Sequence, residues 1–120
     1  MRKIKISEDA YCDIEEMFSY ISQGNKNSAS NLRQEIYNKI KNLQKFPFVG
    51  PTVSEEDAPG SDRGYRYIVV NPYLIFYRVM DDKIIIARIL HARQNWLQML
   101  FGYSDSSLHY SFNNTVQQEY

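Results

Sequence analysis

Apolar residues recur at two different periods in the first half of the chain. Residues 2–7, RKIKIS, alternate basic and apolar side chains, which is typical of a short strand with one exposed face. Two longer stretches, residues 8–22 and a second from about residue 28 to 46, repeat apolar residues at helical spacing: Ala10, Ile14, Met17 and Ile21, then Leu32, Ile36, Ile40 and Leu43. A strand followed by an antiparallel helical hairpin is predicted.

Local signals bound these helices. Ser7 followed by Glu8 and Asp9 is typical of an N-cap with acids in the first helical turn. Gly24 is a candidate C-cap for the first helix. The second helix is expected to stop before Pro47, because the residue before proline disfavours the helical region.

Three strands are predicted in the second half, at residues 65–70, 73–79 and 84–91. They are rich in β-branched and aromatic residues, and turns at Asn71-Pro72 and around residues 81–83 separate them. The preceding stretch, 47–64, reads as a loop whose acids Glu55, Glu56 and Asp57 are solvated. The fold class is therefore α+β in the order β-α-α-β-β-β. A helical hairpin packs on one face of a small, mainly antiparallel sheet, and the first strand pairs at its edge.

Length and composition indicate one domain at residues 1–101, followed by a polar tail. Residues 102–120 have no periodicity, so a flexible tail is expected, although its aromatic residues could instead cover part of the sheet. Cys12 is the sole cysteine and cannot form an internal disulfide. No apolar stretch is typical of a membrane span or signal peptide, so we expect a cytoplasmic protein without membrane contact.

The net charge is zero, but residues 1–101 hold 14 basic against 12 acidic side chains because Asp105 and Glu119 lie beyond them. A balance of +2 does not by itself indicate nucleic-acid binding. The two histidines, His91 and His109, are 18 positions apart, and no metal-ligand spacing or phosphate-binding glycine motif is present. Neither a cofactor nor a metal is predicted.

The candidate chemistry lies where the last strand ends, in the sequence RILHARQNW, residues 88–96. His91 and Arg93, with the amides Gln94 and Asn95, are interpreted as a catalytic histidine, a polar grip for a partner, or a structural strand end. Trp96 opens an apolar segment that forms either a terminal helix packed on the core or an exposed hook.

Three arginines within the predicted strands also need explanation. Arg88 interrupts an apolar strand and therefore needs an acidic partner, which the sequence does not identify. Arg66 and Arg78 flank the Asn71-Pro72 turn on adjacent strands. They form a basic patch if they share a face of the sheet, and are ordinary surface charges otherwise.

Four stretches in this order resemble the RelE/ParE superfamily of bacterial type II toxin–antitoxin systems: A-x-x-D-I-E-E-x-x-x-Y-I from Ala10, L-x-x-x-P-x-x-G from Leu43, R-Y-I-V-V-N-P-Y-L-I-F-Y-R-V from Arg66 and R-I-L-H-A-R-Q from Arg88. Together they span about residues 3–100. The resemblance implies a toxin that arrests growth until a cognate antitoxin neutralises it. It also implies contact with operator DNA only through that antitoxin.

The superfamily holds two activities, inhibition of DNA gyrase in the ParE branch and cleavage of mRNA on the ribosome in the RelE branch. This chain has no lysine between Lys45 and Lys83, Leu74 where RelE-like toxins tend to carry arginine, and no tyrosine after Arg93 until Tyr103. The ParE branch is therefore favoured, as an enzyme inhibitor without catalytic residues. Its expected target-binding residues are Arg66, Arg78, His91, Arg93, Gln94, Asn95 and Trp96.

Two alternatives remain open. One is a ribosome-dependent mRNA endoribonuclease that uses His91, Arg93 and Arg66 for catalysis. The other is an inactive member that only binds its antitoxin.

Overall fold

A computed structural model describes residues 1–53 and 64–101. The predicted tail at 102–120 and the acidic residues Glu55, Glu56 and Asp57 lie outside the described residues. The elements are β1 (Lys3–Ile6), α1 (Glu8–Ser22), α2 (Lys26–Asn42), β2 (Arg66–Val70), β3 (Tyr73–Val79), β4 (Lys83–His91) and α3 (Trp96–Phe101). None of the helices in the described ranges has the length and apolar character that crossing a membrane requires.

The four strands form one mixed sheet in the order β1-β4-β3-β2. β2, β3 and β4 pair antiparallel as consecutive hairpins, and β1 pairs parallel with β4 at the edge. The helical hairpin is part of the long connection that a parallel pair requires. The predicted α+β order, the mainly antiparallel sheet and the edge position of the first strand are confirmed.

The start of α1 agrees with the sequence, and the turn between the helices does not. The Ser7 Oγ accepts a hydrogen bond from the Ala10 N–H at 3.0 Å, as an N-cap does. The prediction of Gly24 as C-cap is wrong, because Gln23 takes that position with helical dihedrals. Asn25 then caps α2 by accepting from the Ser28 N–H at 3.0 Å, so α2 begins at Lys26, two residues earlier than predicted.

Apolar side chains cover both faces of the sheet. On one face the core joins α1 and α2 to buried residues that include Ile75, Tyr77, Ile84, Ile86 and Ile89. On the opposite face Phe76 and Leu90 pack with Leu100 of α3. Burial on both faces explains why β3 reads as an unbroken apolar run rather than an alternating one.

A β-bulge in β4 lies just before the residues that line the candidate site. Phe76 pairs with Arg88 and Tyr77 pairs with Ile86, so Ala87 is an extra residue on β4. β1 has already turned away at this level, where Ser7 bonds to the carbonyls of Ile86 and Ala87. The rest of β4 therefore has no strand on that side, and α1 lies along it.

Candidate functional site

A cleft of about 560 Å³ opens between α1 and the carboxyl end of β4. We name it the α1–β4 cleft. Helix α1 contributes one wall, and the end of β4, the turn after it and α3 contribute the other. The lining residues are Asp13, Glu16, Met17, Tyr20, Tyr73, Ile89, His91, Arg93, Gln94 and Met99.

Asp13 is the acid that Arg88 requires. The two side chains form a bidentate pair, with Nε to Oδ2 and Nη2 to Oδ1 both at 2.8 Å. The Asp13 Oδ2 also accepts the backbone N–H of Ile89 at 2.9 Å, and the Arg88 Nη1 donates to the carbonyl of Met99 at 3.2 Å. Hydrogen bonding to Asp13 raises the pKa of the Arg88 guanidinium, although burial acts in the opposite direction. This pair therefore connects α1, β4 and α3 at the base of the cleft.

His91 and Gln94 close a tight turn after β4. The His91 N–H donates to the Gln94 Oε1 at 2.7 Å, and the Gln94 N–H donates to the His91 carbonyl at 2.9 Å. The His91 Nδ1 accepts the N–H of Arg93 at 3.0 Å, and the imidazole packs edge-on against Tyr73 at 5.3 Å. His91 is thus the register partner of Tyr73 on β3, and its imidazole caps its own turn.

The other residues of this segment have different environments. Arg93 is exposed at the tip of the turn. Asn95 is only 7% exposed and donates from Nδ2 to the Gln98 Oε1, so its expected place on a surface patch is wrong. Trp96 stacks on Phe76 at 5.4 Å between ring centroids, beside Leu100. Of the two alternatives for this segment, the structure shows the helix packed on the core.

Arg66 and Arg78 lie away from the cleft and on opposite faces of the sheet. Arg66 is the register partner of Tyr77 and bonds to the Gly50 carbonyl at 2.7 Å, whereas Arg78 lies over the Tyr65 ring at 5.6 Å. Adjacent residues of a strand point to opposite faces, so of the two alternatives the shared basic patch is excluded. His91 pairs with Tyr73, four residues from Tyr77 on β3. Arg66 is therefore about 13 Å away along the sheet and two strands across.

The stretch L-x-x-x-P-x-x-G has a structural role next to Arg66. The Tyr77 hydroxyl donates to the Pro47 carbonyl at 2.9 Å and accepts from the Gly50 N–H at 3.0 Å. A Cβ at Gly50 would collide with the Tyr67 carbonyl oxygen and lie 2.9 Å from the Tyr77 hydroxyl. Burial raises the pKa of Tyr77, while the Gly50 hydrogen bond and Arg66 act in the opposite direction. These contacts hold the loop after α2 against the sheet.

Sequence reasoning missed the wall that α1 contributes. Asp13, Glu16 and Tyr20 are spaced like one helical face, next to the apolar stripe of Ile14, Met17 and Ile21, and this spacing was the available signal. Among residues 1–53 and 64–101, no group of three or more His, Cys, Asp or Glu is arranged to hold a metal ion. The cleft includes Tyr20, Tyr73, Arg93 and two methionines, and aromatic residues, arginine and methionine are enriched where proteins contact one another.

Comparison with known proteins supplies the family. The sequence matches the family described as the ParE toxin of the type II toxin–antitoxin system parDE over residues 4–96, which is most of the chain. The chain therefore belongs to the ParE toxin family, and a cognate antitoxin partner is implied. The predicted resemblance, including its branch, is confirmed. No curated protein gives a significant match.

Solved structures that are similar to this chain include the following two. One belongs to the chromosomal ParDE toxin–antitoxin system of P. aeruginosa, with 23% identity, a TM-score of 0.61, and coverage of 76% of this chain and 96% of that one. The other is the solution structure of a conserved hypothetical protein from Helicobacter pylori, with 21% identity, a TM-score of 0.45, and coverage of 76% and 94%. The first likeness supports the fold, and the second is too weak to support a conclusion.

Proposed function

We propose that this ParE-family protein inhibits DNA gyrase and arrests growth in the cytoplasm until its antitoxin neutralises it. Contact with operator DNA would then run through the antitoxin. The observation that carries the gyrase assignment is the turn at 91–94. His91 is committed to hydrogen bonds within that turn, and Arg93 is presented at its tip on the rim of the α1–β4 cleft. The hydrogen bonds within the turn hold its backbone in one conformation, which suits a surface that contacts another protein.

The target contact is assigned to the cleft and its turn. Arg93 and Gln94 provide polar groups on one side, while Tyr20, which is 74% exposed, and Met99, which is 39% exposed, provide apolar area. Arginine and tyrosine are the residue types that most often dominate binding energy in protein interfaces. The Asp13–Arg88 pair fixes the distance between the two walls.

The endoribonuclease alternative is weakened by the position of Arg66. A nuclease centre needs a base, a group that stabilises the phosphate charge and an acid within reach of one phosphodiester. Arg66 is two strands from β4 and bonds to the Gly50 carbonyl. The His91 Nδ1 accepts the backbone N–H of Arg93. Of the two arginines proposed to act with His91, Arg93 lies in the same turn and Arg66 is remote.

A gyrase supercoiling assay tests the proposal. The full chain is released from its antitoxin, refolded and checked by circular dichroism, then titrated against gyrase and relaxed plasmid. We expect dose-dependent loss of supercoiling with accumulation of cleaved DNA. Unchanged supercoiling by folded protein would overturn the gyrase assignment. Cleavage of mRNA in a parallel ribosome assay would then establish the alternative.

A further inference from the structure

An exposed aromatic ring lies between two arginines at the end of the molecule remote from the cleft. Phe48 is 57% exposed, and the guanidinium carbons of Arg2 and Arg66 lie 5.5 and 5.0 Å from its ring centroid. Both guanidinium groups are fixed by backbone carbonyls. Arg2 Nε donates to Met80 at 2.8 Å, and Arg66 Nη1 donates to Gly50 at 2.7 Å. The cations are thus held in place around an accessible ring.

Three lysines extend this surface along α2. Lys39 and Lys41 lie in the last turn of α2, and Lys45 follows it. Two shallow depressions of about 260 and 470 Å³ flank this helix end, and Asn42 lines both. We name the whole the Phe48 surface, and it comprises Arg2, Lys39, Lys41, Lys45, Phe48 and Arg66. A second ring, Phe46, is also 57% exposed beside it.

The positive charge of the Phe48 surface is not neutralised by ion pairs. In the described ranges the two salt bridges are Arg33–Glu15 and Arg88–Asp13, and neither involves these cations. Asp81 and Asp82 occupy the neighbouring turn, where Lys3 and Lys83, register partners at the same end of the sheet, offset them. Of the eight acids in the described ranges, Glu35 lies on α2 and five lie on α1, which carries no basic residue: Glu8, Asp9, Asp13, Glu15 and Glu16.

The net charge of zero does not describe the charge around Phe48. Exposed charges further apart than about 10 Å are largely screened from one another at ordinary ionic strength. A ligand at the Phe48 ring therefore senses Arg2 and Arg66, which lie within 5.5 Å of the ring centroid, more than the acids of the distant cleft. The described ranges hold 13 basic and 8 acidic side chains, a local excess of positive charge that suits a polyanion.

The Phe48 ring and the cations around it favour a nucleic acid over an acidic peptide. An acidic peptide would use only the ammonium and guanidinium groups. A single-stranded nucleic acid would also stack an unpaired base on the open ring, a contact that duplex bases cannot make.

We propose that the Phe48 surface binds single-stranded DNA, with phosphates on the lysines and arginines and a base stacked on Phe48. The choice of DNA over RNA rests on the proposed gyrase target, which works on DNA. The binding itself does not depend on gyrase.

Fluorescence anisotropy with the full chain tests this. The probe is a fluorescein-labelled oligothymidine of about 12 nucleotides, with a duplex of equal length and an oligouridine as comparators. Single-stranded DNA should bind more tightly than the duplex. Phe48→Ala should weaken binding about tenfold, because stacking contributes a factor of this order per base. Lys41→Gln with Lys45→Gln should lower the salt dependence by about 0.7 per lost phosphate contact.

Matched controls lie at other positions of the chain. Tyr11→Ala removes an exposed ring from α1, and Lys26→Gln removes an exposed cation from the opposite end of α2. Both should bind DNA as the unchanged protein does. Circular dichroism on every variant separates lost binding from lost folding, and Phe48→Leu, which keeps an apolar side chain without a ring, should weaken binding as Phe48→Ala does.

Several outcomes would overturn the inference. These are absence of binding at low salt, equal binding of duplex, preferential binding of oligouridine, unchanged binding by the Phe48 variants, and displacement by polyglutamate as efficient as by unlabelled DNA. The last would assign the surface to an acidic protein segment. DNA binding without gyrase inhibition would contradict the proposed function alone. Gyrase inhibition without DNA binding would contradict this inference alone.

Discussion

Arg88 and Asp13 are joined by two hydrogen bonds of 2.8 Å, although they are 75 positions apart in the sequence. The Arg88 side chain is 19% exposed and that of Asp13 is 9% exposed, so both charges are largely removed from water. Because Arg88 also bonds to the Met99 carbonyl, the pair positions α3 as well as α1.

Replacing Asp13 by asparagine should therefore destabilise the protein by about 2–4 kcal/mol, since a largely buried guanidinium would lose its counter-charge. Urea unfolding followed by circular dichroism measures this. Glu15→Gln is the matched control, because Glu15 meets Arg33 at 3.6 Å on the surface and should change stability by less than about 1 kcal/mol. Trp96, the one tryptophan, should report displacement of α3 in Asp13→Asn by a red-shifted emission. Equal stability of the two variants would contradict the role given to Asp13.

Gly50 should tolerate no side chain. A Cβ there meets the Tyr67 carbonyl oxygen, and this backbone cannot move without disturbing β2. Gly50→Ala should cost about 3 kcal/mol or more, a value typical of severe overpacking. Gly24→Ala is the control, because its nearest neighbour would be 3.8 Å away, and it should change stability by about 1 kcal/mol at most. Thermal unfolding of both variants distinguishes them, and similar losses would refute the steric explanation.

The Tyr77 hydroxyl should contribute stability that disappears in alkali. Burial raises its pKa above the ordinary value of 10.0. A folded-state pKa above the unfolded value means that the contribution is fully present below about pH 10 and is lost as pH rises through the folded value. Tyr77→Phe removes the partner of the Pro47 carbonyl and the Gly50 N–H, so near pH 7 it should cost about 1–3 kcal/mol. Urea midpoints of both proteins should converge above pH 10, and a constant difference would contradict this linkage.

His91 should be replaceable by a residue that keeps its acceptor. In His91→Asn the amide oxygen can take the place of Nδ1 in accepting the Arg93 N–H, so most gyrase inhibition should remain. His91→Ala should weaken inhibition only a few-fold. If His91 were instead the general base of a ribosome-dependent nuclease, both substitutions would slow mRNA cleavage by about 100-fold or more. Equal and complete loss of mRNA cleavage by both folded variants in the ribosome assay would restore the catalytic interpretation.

Arg93 should contribute more to target binding than any residue buried beneath the turn. Arg93→Ala should raise the concentration needed for half-maximal gyrase inhibition by about tenfold or more, as expected for a central interface arginine. Arg78→Ala is the control, because Arg78 lies over Tyr65 outside the cleft. Identical inhibition by the two variants would place the gyrase contact elsewhere.

Local patterns were enough to predict most of the fold. Ser7 as N-cap, the stripes of both helices and the three hairpin strands depend on neighbours in sequence, and all are confirmed. Contacts between distant segments were not predictable in this way. Asp13 could not be distinguished from the other acids of α1 as the partner of Arg88. The faces of Arg66 and Arg78 depended on the strand register, which a turn of uncertain length does not fix.

The candidate site was predicted in part. The segment 91–94 was identified, but the Gln94 amide and the His91 imidazole proved to accept backbone N–H groups of the same turn. The α1 wall was missed because helix and strand end are brought together only by tertiary packing. The Phe48 surface was missed because a total charge carries no information about where the charges lie.

The hydrogen bond from the Ile89 N–H to the Asp13 carboxylate also protects the unpaired margin of β4 from pairing with another strand. β4 extends beyond β1, and such an unpaired margin is where foreign strands attach and fibres begin. A fixed carboxylate there occupies the donor and repels the carbonyl oxygens of an approaching strand. A strand added here would have to displace the Asp13 carboxylate, which would leave the Arg88 guanidinium without its counter-charge. Pairing of a further strand at this margin is therefore disfavoured, including pairing with a second copy of the chain.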